Sequence, residues 1–434
     1  MSGFAPPTAL KAHGARAVLG RSKLVQLAGR YSLTAIGPIA VSAAHFAASV
    51  IFLHKLKPAE FGLFSFLLVV VPFALSISSG LFGAPLLSAI GKSETIAEGK
   101  YNALGQVNRL YCLLAGLVTA TLMYFGGAGQ GASMLFGLYG AIMTLRWYGR
   151  LCAYNVSHPL RAAFSDITYS VVLLAGLVLL LATGNLSLES TSVTMFVSAA
   201  LGLLPFGHAF LLAQLRRPMP GFAGIYAPIW RDVTRWSLLG VVASEMTANA
   251  HAYLVTFIAG AHAFALLAVG SLMMRPLLLV LGALPDRERP VIARALAAGD
   301  VKAALATINE FRTAAGAVWL GTVGLSAVIL TWMPGLVIRR GFDAEAVTLA
   351  VGLWAAIVAV RAMRAPEQAF LTAAGEFSAL ARAGMWGSLV SLGGTLMLLV
   401  LLGPVESLLG ILCGEMAMSW RIMRLMSAWR RAHA

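Results

Sequence analysis

The sequence predicts an all-α polytopic membrane protein with about twelve transmembrane helices. Three observations predict this class: the composition, the repeated long apolar runs, and the placement of the charges. Of 434 residues, 59% are hydrophobic and 11% are charged, and the mean hydropathy is +0.82. An ordinary soluble domain has about a quarter of its residues charged. This chain cannot cover a soluble globule of its size with polar surface, which excludes most soluble enzymes.

Apolar runs long enough to cross the roughly 30 Å hydrocarbon core recur about twelve times. The second run exceeds one crossing and therefore tilts or extends past the bilayer. The predicted spans are 32–54, 62–90, 106–125, 132–150, 167–184, 190–214, 236–258, 264–284, 313–333, 345–363, 378–402 and 405–425.

The basic residues predict the orientation. The chain carries 32 Lys+Arg and 17 Asp+Glu, a formal charge of +15. An even number of crossings puts both termini on one side, and that side holds 27 of the 32 basic residues. The opposite side holds Lys55, Lys57, Arg339 and Arg340, while Arg275 lies inside a span. The positive-inside rule therefore predicts a membrane protein with both termini in the cytoplasm. Basic residues spread over many short segments exclude a nucleic-acid-binding patch.

A basic segment rich in Pro and Gly, LRRPMPGFAGIYAPIWRDVTR at 215–235, separates two halves of six spans. The halves should have parallel orientation, as in transporters built from repeats. The connection at 285–312 predicts a helix pair on the cytoplasmic surface, with Asp300 as an N-cap. The predicted domains are a tail 1–31, a bundle 32–214, a linker 215–235, a bundle 236–425 and a tail 426–434.

Enzyme and metal motifs are missing from the sequence. Its three cysteines form no CxxC pair, so we expect neither a disulfide framework nor a zinc site. No HExxH, GxSxG or kinase signature occurs, and outer connections such as GGAGQG at 126–131 leave no room for an external domain. The sequence therefore predicts a protein that is not an enzyme and has no resident cofactor.

Polar residues at membrane depth are costly, and Arg275 is the clearest example. It lies near the middle of the eighth predicted span and is followed by Pro276, which should kink the helix and form a hinge. A cation beside a kinked helix suits an anionic substrate in a central cavity. The alternative is a structural ion pair with Glu245 or Glu415, and the two can coexist.

The seventh span places Glu245, Asn249 and Tyr253 at i, i+4 and i+8, on one helix face. These residues suit proton coupling or the wall of a sugar-binding cavity, and interhelical hydrogen bonding is the alternative. His251 lies on another face of the same span and is a second coupling candidate. Glu415 in the last span has either a structural role or a role in ion coupling.

The first half of the chain offers fewer candidates. His45 lies in the middle of the first span, near Pro38, which can bend the helix as a second hinge; a hydrogen-bonded structural histidine is the alternative. Arg30 and Arg109 are expected at the inner mouth of a cavity, where they would attract phosphate. Basic residues at the same ends of other spans are expected to mark the membrane interface by snorkelling: Arg146, Arg361 and Arg364. No carboxylate lies within the first six predicted spans.

Three segments resemble one family. HKLKPAEFGLFSFLLVV at 54–70 resembles the loop after the first helix of polysaccharide flippases, where an EFG or EYG turn opens the second helix. MRPLLLVLGALPDRERPVIARALAAGDVKAAL at 274–305 resembles their eighth helix and its following loop. MPGLVIRRGFDAEAVTLAVGLW at 333–354 resembles their ninth-to-tenth connection. The chain is similar to the oligosaccharide (O-antigen, Wzx-type) flippases of the MOP superfamily, which also contains the MATE exporters and the lipid II flippases.

This resemblance implies two six-helix bundles in a V around a central cavity. It also implies alternating access, which moves oligosaccharides linked to undecaprenyl pyrophosphate across the membrane, with proton or sodium coupling. The implied partners are this lipid-linked substrate, membrane lipids, and the glycosyltransferases and polymerase of glycan assembly. Family members often carry an Asp-Arg pair in the seventh helix, where this chain has His251 and Ala252.

Two other functions remain open at this point. One is a cation-coupled small-molecule antiporter of the MATE type, which the lack of a carboxylate in the first six spans disfavours. The other is a non-transporting membrane partner, or a polymerase, of glycan assembly. An outer loop rich in acidic or arginine residues would favour the polymerase, and the sequence has none.

Overall fold

The computed structural model describes residues 21–83, 85–86, 98–155, 158–214, 220–338 and 341–433. Within these ranges the chain is almost entirely helical. The helices of the first half are α1 (Arg21–Lys55), α2 (Pro58–Ser78), α3 (Glu98–Phe125), α4 (Gln130–Asn155), α5 (Pro159–Ala182), α6 (Leu188–Leu201) and the short α7 (His208–Gln214). A π-helical turn at Ser79–Gly83 continues α2.

The second half begins after a connection that contains the short α8 (Phe222–Ile229) and a π-helical turn at Trp230–Thr234. Its helices are α9 (Arg235–Ile258), α10 (Ala261–Met273), α11 (Arg275–Ala297), α12 (Val301–Trp332), α13 (Ala344–Ala373), α14 (Phe377–Leu401) and α15 (Leu408–His433). Asp300 caps α12 as predicted, because its side chain accepts a hydrogen bond from the Ala303 amide at 2.9 Å.

Eight of the described helical stretches are long and apolar enough to cross a bilayer, and the bent pair α10–α11 makes a ninth. Helices α4, α9 and α15 have 26, 24 and 26 residues and are therefore also of crossing length. Their lower hydropathy follows from interior polar residues such as Arg146, Glu245 and Glu415. These three complete the twelve predicted crossings, six in each half.

Each half forms its own bundle. In the N-terminal bundle α1 packs on α5, α3 on α4, and α6 on both α4 and α5. In the C-terminal bundle α14 packs on α15 and α9, and α13 packs on α10, α11, α12 and α15. A Cβ at Gly410 would lie 2.1 Å from the Thr395 backbone nitrogen, so the α14–α15 contact requires glycine there.

Helix α2 makes the main contact between the bundles, packing against α9 and α10. Because the number of crossings is even, the described chain ends, Arg21 and His433, fall on one side of the membrane, here called the terminal side. The short loops at 126–129 and 259–260 each follow an odd number of crossings and fall on the opposite side, here called the hairpin side. On the hairpin side, a Cβ at Gly62 would lie 1.9 Å from the Ala261 carbonyl oxygen. On the terminal side, a Cβ at Gly80 would lie 3.4 Å from the Cα of Leu238.

Large apolar side chains cover the outside of the bundles. Leu113, Leu117, Leu389 and Val400 are each between 65% and 71% exposed. So much exposed apolar surface is unfavourable in water and fits contact with lipid chains. The molecule is a multi-pass membrane protein.

The main difference from the predicted elements concerns helix ends. Helix α13 runs ten residues past the predicted end at 363, and α5 begins eight residues before the predicted start at 167. The expected surface pair at 285–312 consists of the ends of α11 and α12, which continue as single helices from the crossings. Hydropathy marks where apolar residues are dense, whereas a helix that continues among other helices keeps its hydrogen bonds beyond that region.

Candidate substrate cavity between the bundles

The predicted kink near Pro276 is present as a break in the eighth crossing. Helix α10 ends at Met273, α11 begins at Arg275, and the two axes differ by 64°. Proline has no N–H to donate to a preceding carbonyl, which accounts for the break. The first crossing differs, because α1 continues as one helix through Pro38. Hinge motion at either proline stays a prediction.

A cavity of about 170 Å³ lies at this break, between α2 and the C-terminal bundle. Arg275, Asn249, His251 and Arg361 contribute polar groups to its wall, and Trp354 contributes an aromatic face. Ser49 of α1 also lines it, so both bundles take part. No carboxylate is among the described residues that line the cavity, and its wall is therefore cationic.

Arg275 has no hydrogen bond or ion pair with any described residue. Glu245 and Glu415, its two expected partners, bind other groups. The Ser76 hydroxyl donates to Glu245 at 2.8 Å, and the Asn249 amide donates to it at 2.7 Å. Because α2 carries Ser76 and α9 carries Glu245, the first of these bonds joins the two bundles.

The other polar residues of α9 occupy different surroundings. The Tyr253 ring packs edge-on against Phe66 and Phe73 of α2 at centroid distances of 5.3 and 6.3 Å. Its buried hydroxyl has no hydrogen-bond partner in the described part of the chain. Tyr253 therefore lies in the contact between the bundles and does not line the cavity. His251 is 4% exposed, and its ring lies 5.3 Å from the Trp354 ring.

Glu415 lies between two arginines of α13. Arg361 donates from Nε to Glu415 at 2.7 Å, and Arg364 donates to the second carboxylate oxygen. The expectation that Arg361 and Arg364 mark the membrane interface is wrong, because Glu415 is 1% exposed and Arg364 is 9% exposed. Both arginines lie well inside α13, which extends beyond the predicted span. Their cluster with Glu415 keeps a net charge of +1.

A matching cluster lies in the N-terminal bundle. Asp166 of α5 is fully buried and forms ion pairs with Arg146 and Arg150 of α4. Sequence reasoning missed Asp166 because the residue precedes the predicted fifth span by one position. The statement that no carboxylate lies within the first six crossings is therefore wrong, and Arg146 is buried instead of snorkelling. Helices α4 and α13 are the fourth crossings of their bundles, so the two arginine pairs occupy corresponding helices.

His45 belongs to this N-terminal cluster. Its Nε2 lies 2.7 Å from the Tyr169 hydroxyl, which lies 3.0 Å from the Tyr139 hydroxyl. The Arg146 guanidinium lies over the Tyr169 ring, 4.3 Å from its centroid. Ser49, one turn along α1 from His45, lines the cavity. His45 thus lies beside the cavity as part of a hydrogen-bonded cluster.

The two arginines expected at the inner mouth are not brought to this cavity. Arg109 donates to the Gln214 carbonyl at 3.0 Å and lines a separate cavity inside the N-terminal bundle. The side chain of Arg30 lies outside the described part of the structure.

Comparison with solved structures identifies the fold. An inward-facing multidrug resistance MATE family transporter of the MOP superfamily is 14% identical, with a TM-score of 0.67 over 92% of this chain and 100% of that chain. The lipid II flippase MurJ in an inward closed conformation is 10% identical, with a TM-score of 0.68 over 91% of this chain and 87% of that chain. A MOP superfamily transporter from Pyrococcus furiosus, described as having a binding pocket of reverse polarity, is 16% identical with a TM-score of 0.59 over 92% and 94% of the chains.

The chain therefore has the fold of MOP superfamily transporters, and these solved structures are transporters and flippases. No family model and no curated protein matches the sequence significantly. At identities of 10–16% the likeness carries the fold alone.

Proposed function

We propose that this protein is a flippase for oligosaccharides linked to undecaprenyl pyrophosphate. It moves them across the bacterial inner membrane for polysaccharide or lipopolysaccharide synthesis, with both of its termini in the cytoplasm. Glycosyltransferases supply the substrate, and a glycan polymerase uses the translocated product. The protein itself performs no bond-making step and needs no resident cofactor.

The observation that carries this proposal is the charge of the central cavity. Arg275 and Arg361 line it, and no described carboxylate does. An unpaired guanidinium at membrane depth is unfavourable unless it faces water or binds an anion. A pyrophosphate supplies acceptor oxygens for several charge-assisted hydrogen bonds. Asn249, His251 and the nearby serines supply hydrogen bonds to neighbouring sugar hydroxyls.

The position of α2 between the bundles supports alternating access. This helix closes against α10 on the hairpin side and against α9 on the terminal side. The cavity of about 170 Å³ is smaller than the roughly 300–1,000 Å³ of ordinary ligand sites. An oligosaccharide therefore enters only when the bundles separate on one side, while its lipid tail stays in the bilayer.

Glu245 is the candidate for ion coupling. Its carboxylate has no arginine or lysine partner among the described residues, and its bond to Ser76 joins the bundles. Protonation or sodium binding at Glu245 would weaken that bond and favour opening between α2 and α9. Glu415 is less suited to this role, since two guanidinium groups already bind it.

A MATE-type antiporter is the second candidate, and Asp166 is the observation that favours it. A buried carboxylate in the first six crossings is the kind of group that couples cation movement to drug export. In this chain, however, Arg146 and Arg150 bind Asp166, and their cluster has a net positive charge. That charge favours an anionic substrate over a cationic drug.

The test is deletion of this chain in its native host. We expect surface glycan to disappear and the lipid-linked oligosaccharide to accumulate in the inner leaflet. Re-expression of the chain should restore both. Normal surface glycan together with increased sensitivity to cationic drugs would instead support the antiporter. Loss of polymer with lipid-linked units already in the outer leaflet would support a polymerase or its partner.

A further inference from the structure

Helices α14 and α15 form an antiparallel pair whose register follows from close contacts along their length. A Cβ at Gly387 would lie 2.9 Å from the Cβ of Met418, and a Cβ at Gly414 would lie 2.4 Å from the Cβ of Ser391. Position 386 of α14 and position 420 of α15 therefore lie at about the same level, toward the terminal side.

Two exposed tryptophans at this level each contact an arginine of α15. Trp386 is 49% exposed and Trp420 is 54% exposed. The Arg421 guanidinium carbon lies 4.7 Å from the centroid of the Trp386 ring, and that of Arg424 lies 4.0 Å from the centroid of the Trp420 ring. Cation–π contacts of this kind favour a fixed position of the guanidinium. These four residues are called the α14–α15 patch below.

The positive charge of the patch is not neutralised by the protein. The side chains of Arg421 and Arg424 form no hydrogen bond or ion pair with a described residue, and each guanidinium carries several N–H donors. The sequence of α14 contains no acidic residue, and that of α15 contains only Glu415, which is 1% exposed and binds two other arginines. Arg421 and Arg424 are three positions apart on one helix, so their side chains are neighbours on its surface. One phosphate group can therefore accept hydrogen bonds from both.

The surface next to the patch is apolar. From the two tryptophans toward the hairpin side, both helices present large exposed side chains: Leu389, Leu396 and Val400 of α14, and Leu409 and Met416 of α15. The charged groups lie only at the terminal-side end of this surface. Such an arrangement fits a molecule with an anionic head and long apolar chains.

The charge argues against a second copy of the chain as the occupant. Two copies related by a two-fold axis along the membrane normal would bring the same patch of each copy together. Four unneutralised guanidinium groups would then lie close to one another, which is unfavourable. An anionic lipid neutralises the patch instead.

We propose that the α14–α15 patch binds an acidic phospholipid from the leaflet on the terminal side. Its phosphodiester accepts hydrogen bonds from Arg421 and Arg424, which the rings of Trp386 and Trp420 hold in position. Its acyl chains lie along the exposed apolar side chains of the two helices. The lipid is a bound partner and not the transported substrate, so the assignment does not depend on the proposed flippase activity.

The experiment uses the full-length protein, purified in a neutral detergent and freed of lipid. The affinity for the first bound molecule of dioleoylphosphatidylglycerol or dioleoylphosphatidylcholine is measured by native mass spectrometry, with thermal stabilisation as a second readout. We expect the parent to prefer phosphatidylglycerol. The double variant Arg421→Ala/Arg424→Ala should weaken phosphatidylglycerol binding at least about tenfold, because charge-assisted hydrogen bonds are lost.

The matched control for the change of charge is Arg294→Ala/Lys302→Ala. These two exposed basic residues lie on the terminal side, in α11 and α12, and their removal lowers the net charge by the same amount. This control should bind phosphatidylglycerol like the parent.

A second variant leaves both arginines in place. Trp386→Ala/Trp420→Ala removes the rings that position the guanidinium groups, and phosphatidylglycerol binding should fall several-fold because the site is no longer preorganised. Its control is Trp332→Ala, which removes a 79% exposed tryptophan at the hairpin-side end of α12 and should bind like the parent.

Four outcomes would overturn the proposal. Equal binding of the two lipids by the parent would show no preference for an acidic lipid. Equal losses in the double-arginine variant and its control would show attraction by the overall charge and no site. Displacement of the lipid by millimolar inorganic phosphate would make this a site for a free anion. A lipid-free parent dimer that the double-tryptophan variant converts to a monomer would place a second copy on this surface.

Discussion

Buried carboxylates shared by two arginines are the main polar feature at the level of single residues. Glu415 binds Arg361 and Arg364, and Asp166 binds Arg146 and Arg150. In each cluster the carboxylate neutralises only one of two guanidinium groups. Each cluster therefore keeps a net positive charge.

The first prediction concerns the stability that Glu415 provides. Glu415→Gln keeps the size of the side chain and leaves the guanidinium groups of Arg361 and the buried Arg364 without a counter-ion. Breaking a buried pair in this way destabilises a protein by about 3–5 kcal/mol. The melting temperature of the purified protein in detergent should fall clearly, while Glu376→Gln, at an exposed position, should leave it unchanged. Equal melting of both variants and the parent would contradict the role assigned to Glu415.

The second prediction concerns the unpaired cation. Arg275→Ala should abolish surface glycan while the amount of protein in the membrane stays at the parent level, because the cavity loses its main anion-binding group. Arg275→Lys keeps the positive charge and changes its geometry. If this variant also loses glycan export, the planar guanidinium is required as well as the charge. Arg382→Ala is the matched control on an exposed helix face. Normal glycan export by Arg275→Ala would refute the cationic-cavity mechanism.

Among the helices, α2 makes the main contact between the bundles, since one of its ends contacts α10 and the other contacts α9. Gly62 permits the contact with α10, where a Cβ would lie 1.9 Å from a carbonyl oxygen. We predict that Gly62→Leu holds the bundles apart on the hairpin side and stops transport. A cysteine at Ser65, which lines the cavity, should then react several-fold faster with a membrane-impermeant maleimide.

Gly352→Leu is the control for this third prediction, because a side chain at position 352 of α13 would extend into open space. It should leave both transport and the reactivity of the cysteine at position 65 unchanged. An unaltered labelling rate in Gly62→Leu would show that the α2–α10 contact does not close the cavity.

Some features of the helices are predictable from the sequence and others are not. Apolar density predicts the number of crossings, the two halves and the break beside Pro276, because each depends on local composition or on proline geometry. Helix ends are not predictable in this way, and the errors there have consequences. Asp166, Arg146, Arg361 and Arg364 all lie near predicted span ends and form ion pairs, and all but Arg361 are buried.

The sequence also does not indicate which side chains of different helices form hydrogen bonds or ion pairs. The spacing of Glu245 and Asn249 indicates that they meet, and they do, at 2.7 Å. Nothing local indicates that Ser76 meets Glu245 or that Arg361 meets Glu415, since 169 and 54 positions separate them. Packing between distant helices decides such pairs.

For the whole molecule, the formal charge of +15 has two parts. Most of it comes from basic residues in the tails and connections on the side of the termini, and these residues predict the topology. A smaller part lies inside, where each bundle contributes a positive cluster and Arg275 adds a further cation between them. The same fold serves MATE transporters and the lipid II flippase MurJ, so the interior charge, and not the fold, distinguishes the proposed substrate.

The most direct measurement is flipping by the purified protein in liposomes. Lipid-linked oligosaccharide extracted from the deletion strain is incorporated into both leaflets. A membrane-impermeant glycosidase then removes the glycan of the outer leaflet. The digestion is carried out with and without a proton or sodium gradient. Empty liposomes should protect about half of the glycan. Liposomes that contain the parent chain should lose this protected fraction, and those that contain Arg275→Ala should retain it. A protected fraction that the parent leaves unchanged under every gradient would contradict the flippase account.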